Sequence, residues 1–211
     1  MPAPNDTTMG PLIFGPRSIR AWQQDAKSQT RRLVRPQPAE GLSIIQSEEG
    51  VWVAQDETLF ELLDQPYAVG DLLWIREKLR CLYDPNISED DALVFYDIDQ
   101  ELAKDKGKPV VWPWKRATLP AMFMPKWACR YYVRLVSVRA ERVQDISDED
   151  AIAEGTLVDV EKGPIIMGDD EPGIWYAIWW DSLHKKPGTR WQDNPSIFVY
   201  GLEDADASTS D

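Results

Sequence analysis

Trp127-Ala128-Cys129-Arg130-Tyr131-Tyr132-Val133-Arg134-Leu135-Val136-Ser137-Val138-Arg139-Ala140-Glu141-Arg142-Val143 is the stretch that decides the fold. It reads as one long strand. Arg130, Tyr132, Arg134, Val136 and Val138 share one face by period-two alternation. Tyr131, Val133, Leu135, Ser137 and Arg139 share the other. A strand of this length with polar ends crosses a barrel or a curved sheet.

Downstream, Ile146 to Gly155 reads as a helix, with Ser147 as N-cap, Asp150 as the capping-box acid and Gly155 as the stop. Tyr176 to Leu183 predicts a second helix carrying Trp179 and Trp180, and Asn194 to Tyr200 predicts the last strand. The acidic end, 203–211, is expected to be disordered. Upstream, Leu72-Leu73-Trp74-Ile75-Arg76-Glu77 is apolar on both faces until Arg76, so it belongs inside a sheet. Val94-Phe95-Tyr96 is a further strand, and 99–120 reads as a long loop. Leu42 to Ile45 and Val51 to Val53, joined at Glu49-Gly50, predict a hairpin. Leu12-Ile13-Phe14 is the expected first strand, after an N-terminal arm over 1–11. Ser18 is read as the cap of a helix over Ile19 to Asp25 with Trp22 inward, and Arg35-Pro36-Gln37-Pro38 ends that unit.

The element order is not the alternation of a doubly wound sheet. It predicts an α+β domain over 12–202: a small mixed β-barrel, flanking helices, and long insertions at about 39–66, 84–120 and 156–173. No repeat, GxGxxG run or GxxxxGK run occurs.

The chain has 211 residues, 43% of them hydrophobic, and a net charge of −13. The charge argues against tight sequence-independent binding to duplex nucleic acid. Basic residues nevertheless gather in two segments. One holds Arg17, Arg20, Lys27, Arg31, Arg32 and Arg35; the other holds Lys115, Arg116, Lys126, Arg130, Arg134, Arg139 and Arg142. That pattern suits a focused anion site better than a broad basic face. Cys81 and Cys129 read as core thiols rather than a disulfide framework. The single histidine, His184, sits in a polar stretch and is read as a surface residue. One histidine leaves little scope for a multi-histidine metal site or a Ser-His-Asp relay. No metal or cofactor is expected. The polar start and the lack of a long apolar run predict a soluble, cytoplasmic protein without a membrane anchor.

Ala26-Lys27-Ser28-Gln29-Thr30-Arg31-Arg32 carries the densest chemistry. On a helix or tight turn, Lys27 and Thr30 face the same way. A lysine beside a hydroxyl can serve as base and nucleophile, while Arg31 and Arg32 hold an anion. Trp74 and Trp127 are candidates for stacking on bases or for the core, Arg76 and Arg130 for phosphate, and Glu77 accompanies them. Trp112-Pro113-Trp114 is a candidate exposed platform.

Five segments in order resemble the ASCH domain group of the PUA-like superfamily, in the long form encoded by tailed bacteriophages and prophages. They are Ala26 to Arg32, Val69 to Glu77, Met124 to Arg130, Ile146 to Gly155 and Trp191 to Tyr200. The resemblance implies a pseudo-barrel with a cleft for RNA, a nucleotide or a modified base. Within it, the bacterial acetylcytidine amidohydrolases use a lysine, a threonine three residues on, and a glutamate. The matching positions are Lys27, Thr30 and Glu154, which by this resemblance act as base, nucleophile and polarising group; the structural alternative is that Thr30 caps a helix or turn and that Lys27 and Glu154 form a salt bridge. The chain departs in its length, its insertions and the Arg31-Arg32 pair, which favours a phosphate-bearing ligand.

Three functions follow as expectations. The first is hydrolysis of an acyl-amide on a modified pyrimidine. The second is a non-catalytic reader of RNA or a modified base, or a ribonuclease drawing on Tyr131 and Tyr132. The third is a phage protein that docks on a host factor.

Overall fold

The computed structural model describes residues 9–48, 50–82, 92–103, 112–159, 163–164 and 171–206. In chain order its strands are β1 (Met9–Ile13), β2 (Gln29–Leu33), β3 (Ser43–Gln46), β4 (Trp52–Gln55), β5 (Phe60–Leu62), β6 (Leu72–Arg76), β7 (Leu79–Leu82), β8 (Leu93–Tyr96), β9 (Thr118–Leu119), β10 (Tyr132–Arg142), β11 (Val158–Asp159), β12 (Gly163–Pro164) and β13 (Ser196–Ala205). The helices are α1 (Pro16–Gln23), α2 (Asp148–Ala153) and α3 (Pro172–Leu183). The fold is mixed α+β, with sheets predominating.

A five-stranded sheet in the order β1-β6-β10-β13-β2 organises the molecule. β1 runs parallel to β6, and the other pairs are antiparallel. β6, apolar on both faces, lies inside this sheet as expected. No backbone ladder joins the edge strands β1 and β2 among the described residues, so no closed barrel is found. One side chain does span the gap: Nη2 of Arg32 on β2 donates to the Ile13 carbonyl on β1 at 2.8 Å.

The long strand begins at Tyr132, because Lys126–Ala128 is a 3-10 turn. Its alternation also breaks. The register with β13 shifts between Leu135 and Ser137, leaving Val136 as an extra residue. Val133 and Leu135 face the inner core before the shift, and Val138 and Ala140 face it afterwards. Even and odd positions therefore exchange faces halfway along. Gly201 sits opposite the bulge, where a Cβ would lie 2.3 Å from Oγ of Ser137.

The inner face packs Leu12, Phe14, Leu73, Ile75, Phe198 and Leu202 against α1 and the β3-β4-β5 sheet. The other face, along Ile197 and Val199, packs on Val143, Ala151, Tyr176 and Trp180 of the helical side. A smaller core lies beneath the β8-β7-β9 sheet.

Several boundaries differ from the sequence reading. The first strand starts at Met9, inside the expected arm, because Gly10 and Pro11 pair beside Leu73 and Trp74. Pro16 opens α1 with Gly15 as its N-cap, so Ser18 is a buried helix residue and not the cap. α3 begins at Pro172, within the last expected insertion. β13 continues to Ala205 because β10 pairs with it to the end, so 203–205 are strand; 207–211 lie outside the described residues. Part of the 99–120 loop is strand β9, and 104–111 lie outside the described residues. His184 is half-buried, stacked on the Trp180 ring at 3.8 Å, and burial pulls its pKa down. Trp112 is buried, its Nε1 donating to the Arg116 carbonyl, so it is not an exposed platform. Cys81 is buried and Cys129 half-buried, both as free thiols. Among the described residues no helix is long and apolar enough to cross a membrane.

Candidate functional site

The segment after Ser28 is a strand, not a helix or turn, and this rearranges the chemistry of Lys27 to Arg32. In β2, successive side chains point to opposite faces. Arg31 lies beside Val199, on the helical face; Thr30 lies beside Tyr200, on the inner face.

Lys27 precedes the strand in a loop that backbone bonds fix at both sides. Ser28 N donates to the Ala153 carbonyl at 2.9 Å, and Leu202 N donates to the Ser28 carbonyl at 2.7 Å. The loop is thereby held against the end of α2, where Glu154 is the C-cap residue. Gly155 then turns away at φ +82°, and a Cβ there would lie 2.2 Å from Cβ of Ala21. Glycine is required at this point for both its left-handed backbone and the close packing of α1.

Lys27 and Glu154 consequently meet, and both are buried. Nζ of Lys27 donates to Oε2 of Glu154 at 2.7 Å, to the Glu154 carbonyl at 3.0 Å and to the Gln29 carbonyl at 2.7 Å. All the protons of an ammonium are thus matched with acceptors. Burial pulls the Lys27 pKa down, against the upward pull of Glu154. Arg31 completes this group. Nη1 donates to Oε1 of Glu154 at 3.3 Å, Nη2 to Oδ2 of Asp150 at 2.8 Å, and Nε and Nη2 to Oε1 of Glu141 at 3.1 and 2.9 Å. Gln29 Nε2 reaches Oδ1 of Asp150 at 2.8 Å, and Arg139 pairs with Asp150 and Glu141. The Asp150 carboxylate thus accepts from Gln29, Arg31 and Arg139, while its backbone N–H donates to Oγ of Ser147, the N-cap. The bulge at Val136 delivers Glu141 and Arg139 here, by switching their face of β10.

The inner face of β2 is built differently. Thr30 is buried, and its Oγ1 accepts from Nη1 of Arg32 at 2.9 Å. No hydrogen bond joins Thr30 to Lys27 or Glu154 among the described residues. The half-buried Arg32 donates otherwise to the Arg31 carbonyl at 3.0 Å and to the Ile13 carbonyl at 2.8 Å. It forms no ion pair with a carboxylate among the described residues. Burial pulls its pKa down, against the pull of Glu154 and nearby tyrosines.

This guanidinium lies in the seam between β1 and β2, beside two tyrosines and a second arginine. Tyr67 donates to the Pro11 carbonyl at 2.5 Å, and its ring stands 6.0 Å from that of Tyr200. Burial raises the Tyr67 pKa, while the charges of Arg32 and Arg76 pull it down. Arg76, opposite Ile13 in register, stacks 4.4 Å from the Trp74 ring and donates to the Met122 carbonyl at 2.9 Å. The Tyr200 hydroxyl and Nε of Arg76 are buried with no hydrogen-bond partner among the described residues.

The remaining expected binding residues are committed elsewhere. Arg130 grips Glu77 through Nε and Nη2 at 2.8 and 2.7 Å, also pairs with Asp99 and Glu101, and stacks 3.8 Å from the Tyr96 ring. Burial raises the Glu77 pKa despite this partner. Trp74 is buried, and Trp127 is half-buried against the core beneath β7. Tyr67, Tyr200, Glu141 and Asp150 were not singled out as site residues from sequence. Their only sequence signal was membership of a strand, a loop or a cap.

No protein-family model, curated protein or solved structure matches this chain.

Proposed function

We propose that this chain binds a phosphate-bearing nucleotide, modified or at the end of a single RNA strand, at the seam between β1 and β2. The observation that carries the reading is Arg32: a half-buried guanidinium bonded to Thr30 Oγ1 and two backbone carbonyls, and to no carboxylate among the described residues. A partly desolvated cation of this kind favours an incoming anion. Arg76 supplies a second guanidinium on the far lip, and Tyr200 and Thr30 supply hydroxyls for a base or sugar. The resemblance to the ASCH group points to the same class of ligand.

Titration calorimetry with the four ribonucleoside monophosphates and their nucleosides tests this, using the wild type and Arg32→Met, which keeps the apolar stem. At least one nucleotide is expected to bind tenfold or more tightly than its nucleoside, and Arg32→Met to abolish that difference. Equal binding by the variant overturns the reading.

A second reading, amide hydrolysis on an acylated cytidine, is favoured by the Lys27–Glu154 contact at 2.7 Å. Here Thr30 Oγ attacks the acyl carbon, the C–N bond breaks as the amine leaves with a proton, and water releases the acid from the ester. Lys27 must first give up a proton to act as base, which its burial favours. Turnover of N4-acetylcytidine that disappears in Thr30→Val, with unchanged thermal unfolding, is the expected result. Turnover unchanged in that variant excludes the threonine.

A further inference from the structure

α3 carries one charged residue, Asp181, in twelve positions, Pro-Gly-Ile-Trp-Tyr-Ala-Ile-Trp-Trp-Asp-Ser-Leu. A helix apolar on every side is ordinarily covered on every side. This one is covered on one side only. Tyr176 and Trp180 are buried against β13, whereas Ile174 and Ile178, one turn apart, are 53% and 59% exposed. They form the floor of a groove of about 460 Å³ that runs between α3 and the start of α2. Ile146 and Trp191 continue the apolar wall, and Asp148 and Glu171 stand on the rim. Among the described residues no lysine or arginine lines the groove. Asp148 accepts a bond from Gly173 N at 3.1 Å through Oδ1 alone, and neither Asp148, Glu149 nor Glu171 forms an ion pair among the described residues.

We infer that this groove docks a basic amphipathic helix of a partner protein, its apolar side chains on Ile174 and Ile178 and its lysines or arginines against Asp148 and Glu171. The argument is charge complementarity laid over an apolar stripe with helical spacing. Apolar anchors at one-turn intervals supply the affinity, and the acidic rim selects the sign of the flanking charges. The inference is independent of the nucleotide reading, since the groove and the β1–β2 seam are lined by different residues.

The test is fluorescence anisotropy with two labelled helical peptides that share leucines at one-turn spacing and differ in flanks of lysine or glutamate. The lysine peptide is expected to bind, and the glutamate peptide to bind at least tenfold more weakly. Ile174→Ser/Ile178→Ser should weaken the lysine peptide tenfold or more with thermal unfolding preserved. Asp148→Asn/Glu171→Gln should flatten its salt dependence. No binding of the lysine peptide, or equal binding of both, overturns the inference. So does sedimentation as a dimer that the double serine variant dissociates, because the occupant is then a second copy of this chain.

Discussion

On one face of β2, Lys27 and Arg31 meet Glu154, Glu141 and Asp150; on the other, Arg32 meets a hydroxyl and two carbonyls. Neighbouring arginines in one strand thus occupy opposite electrostatic situations. The helical face is satisfied from within: each cation has an anion, and the anions come from β10, from α2 and from its C-cap. Among the described residues the inner face keeps a cation without an ion pair, a phenol hydroxyl without a hydrogen-bond partner and two sheet edges that no backbone ladder joins. A closed ion network stabilises the fold, and its cations are already matched with anions. The incomplete one is where binding free energy can be gained.

The largest expected effect breaks the satisfied face. Glu154→Ala leaves the buried Lys27 amine with two carbonyls and no anion, and Arg31 with one carboxylate fewer. Stranding one half of a buried pair costs about 3–5 kcal/mol, measurable by urea unfolding. Adding Lys27→Met should recover much of that loss. A loss below about 1 kcal/mol in the single variant would mean that the network is not closed as described.

A smaller effect is expected with pH. Burial, the largest single influence on Asp150, pushes its carboxyl up, but Gln29, Arg31 and Arg139 together hold it below the ordinary 3.8. A folded-state pKa below the unfolded one gives stability that is present above the unfolded value. That stability is lost as pH falls through the folded value. From ~pH 5 downward the wild type should therefore lose more stability than Asp150→Asn. Parallel acid-unfolding curves for the two proteins would show that Asp150 gains nothing from its partners.

The smallest stability effect belongs to the inner face. Tyr200→Phe removes a buried hydroxyl that has no partner, so unfolding should be unchanged or shifted up by at most ~1 kcal/mol. Nucleotide affinity should fall several-fold in the same variant. A stability loss with unaltered affinity would move Tyr200 from the ligand side of the comparison to the structural side.

What sequence revealed and what it hid divides by range of interaction. The Ser147 cap, the Gly155 stop and the apolar β6 were legible because each is a local matter of backbone and burial. The Lys27–Glu154 contact was legible as an alternative once both residues had been marked. The bulge at Val136 was not, because it depends on the register against β13, and it inverted every facing assignment beyond it. β2 is illegible as a strand because Gln29-Thr30-Arg31-Arg32 has no apolar period of its own; pairing with β13 makes it one. Asp150 looked like a capping acid since its three real partners come from distant segments.

Lys27 and Glu154 stand 127 residues apart. A chain made from its N-terminus therefore synthesises the amine long before the acid that neutralises it. Until α2 has emerged, the loop after α1 must keep a hydrated ammonium outside the nascent core. β2 also lacks β13, the strand it pairs with in the finished sheet. Both the acid that pairs with Lys27 and the strand that pairs with β2 are made late, so a ribosome-stalled fragment ending before α2 should remain protease-sensitive around Lys27.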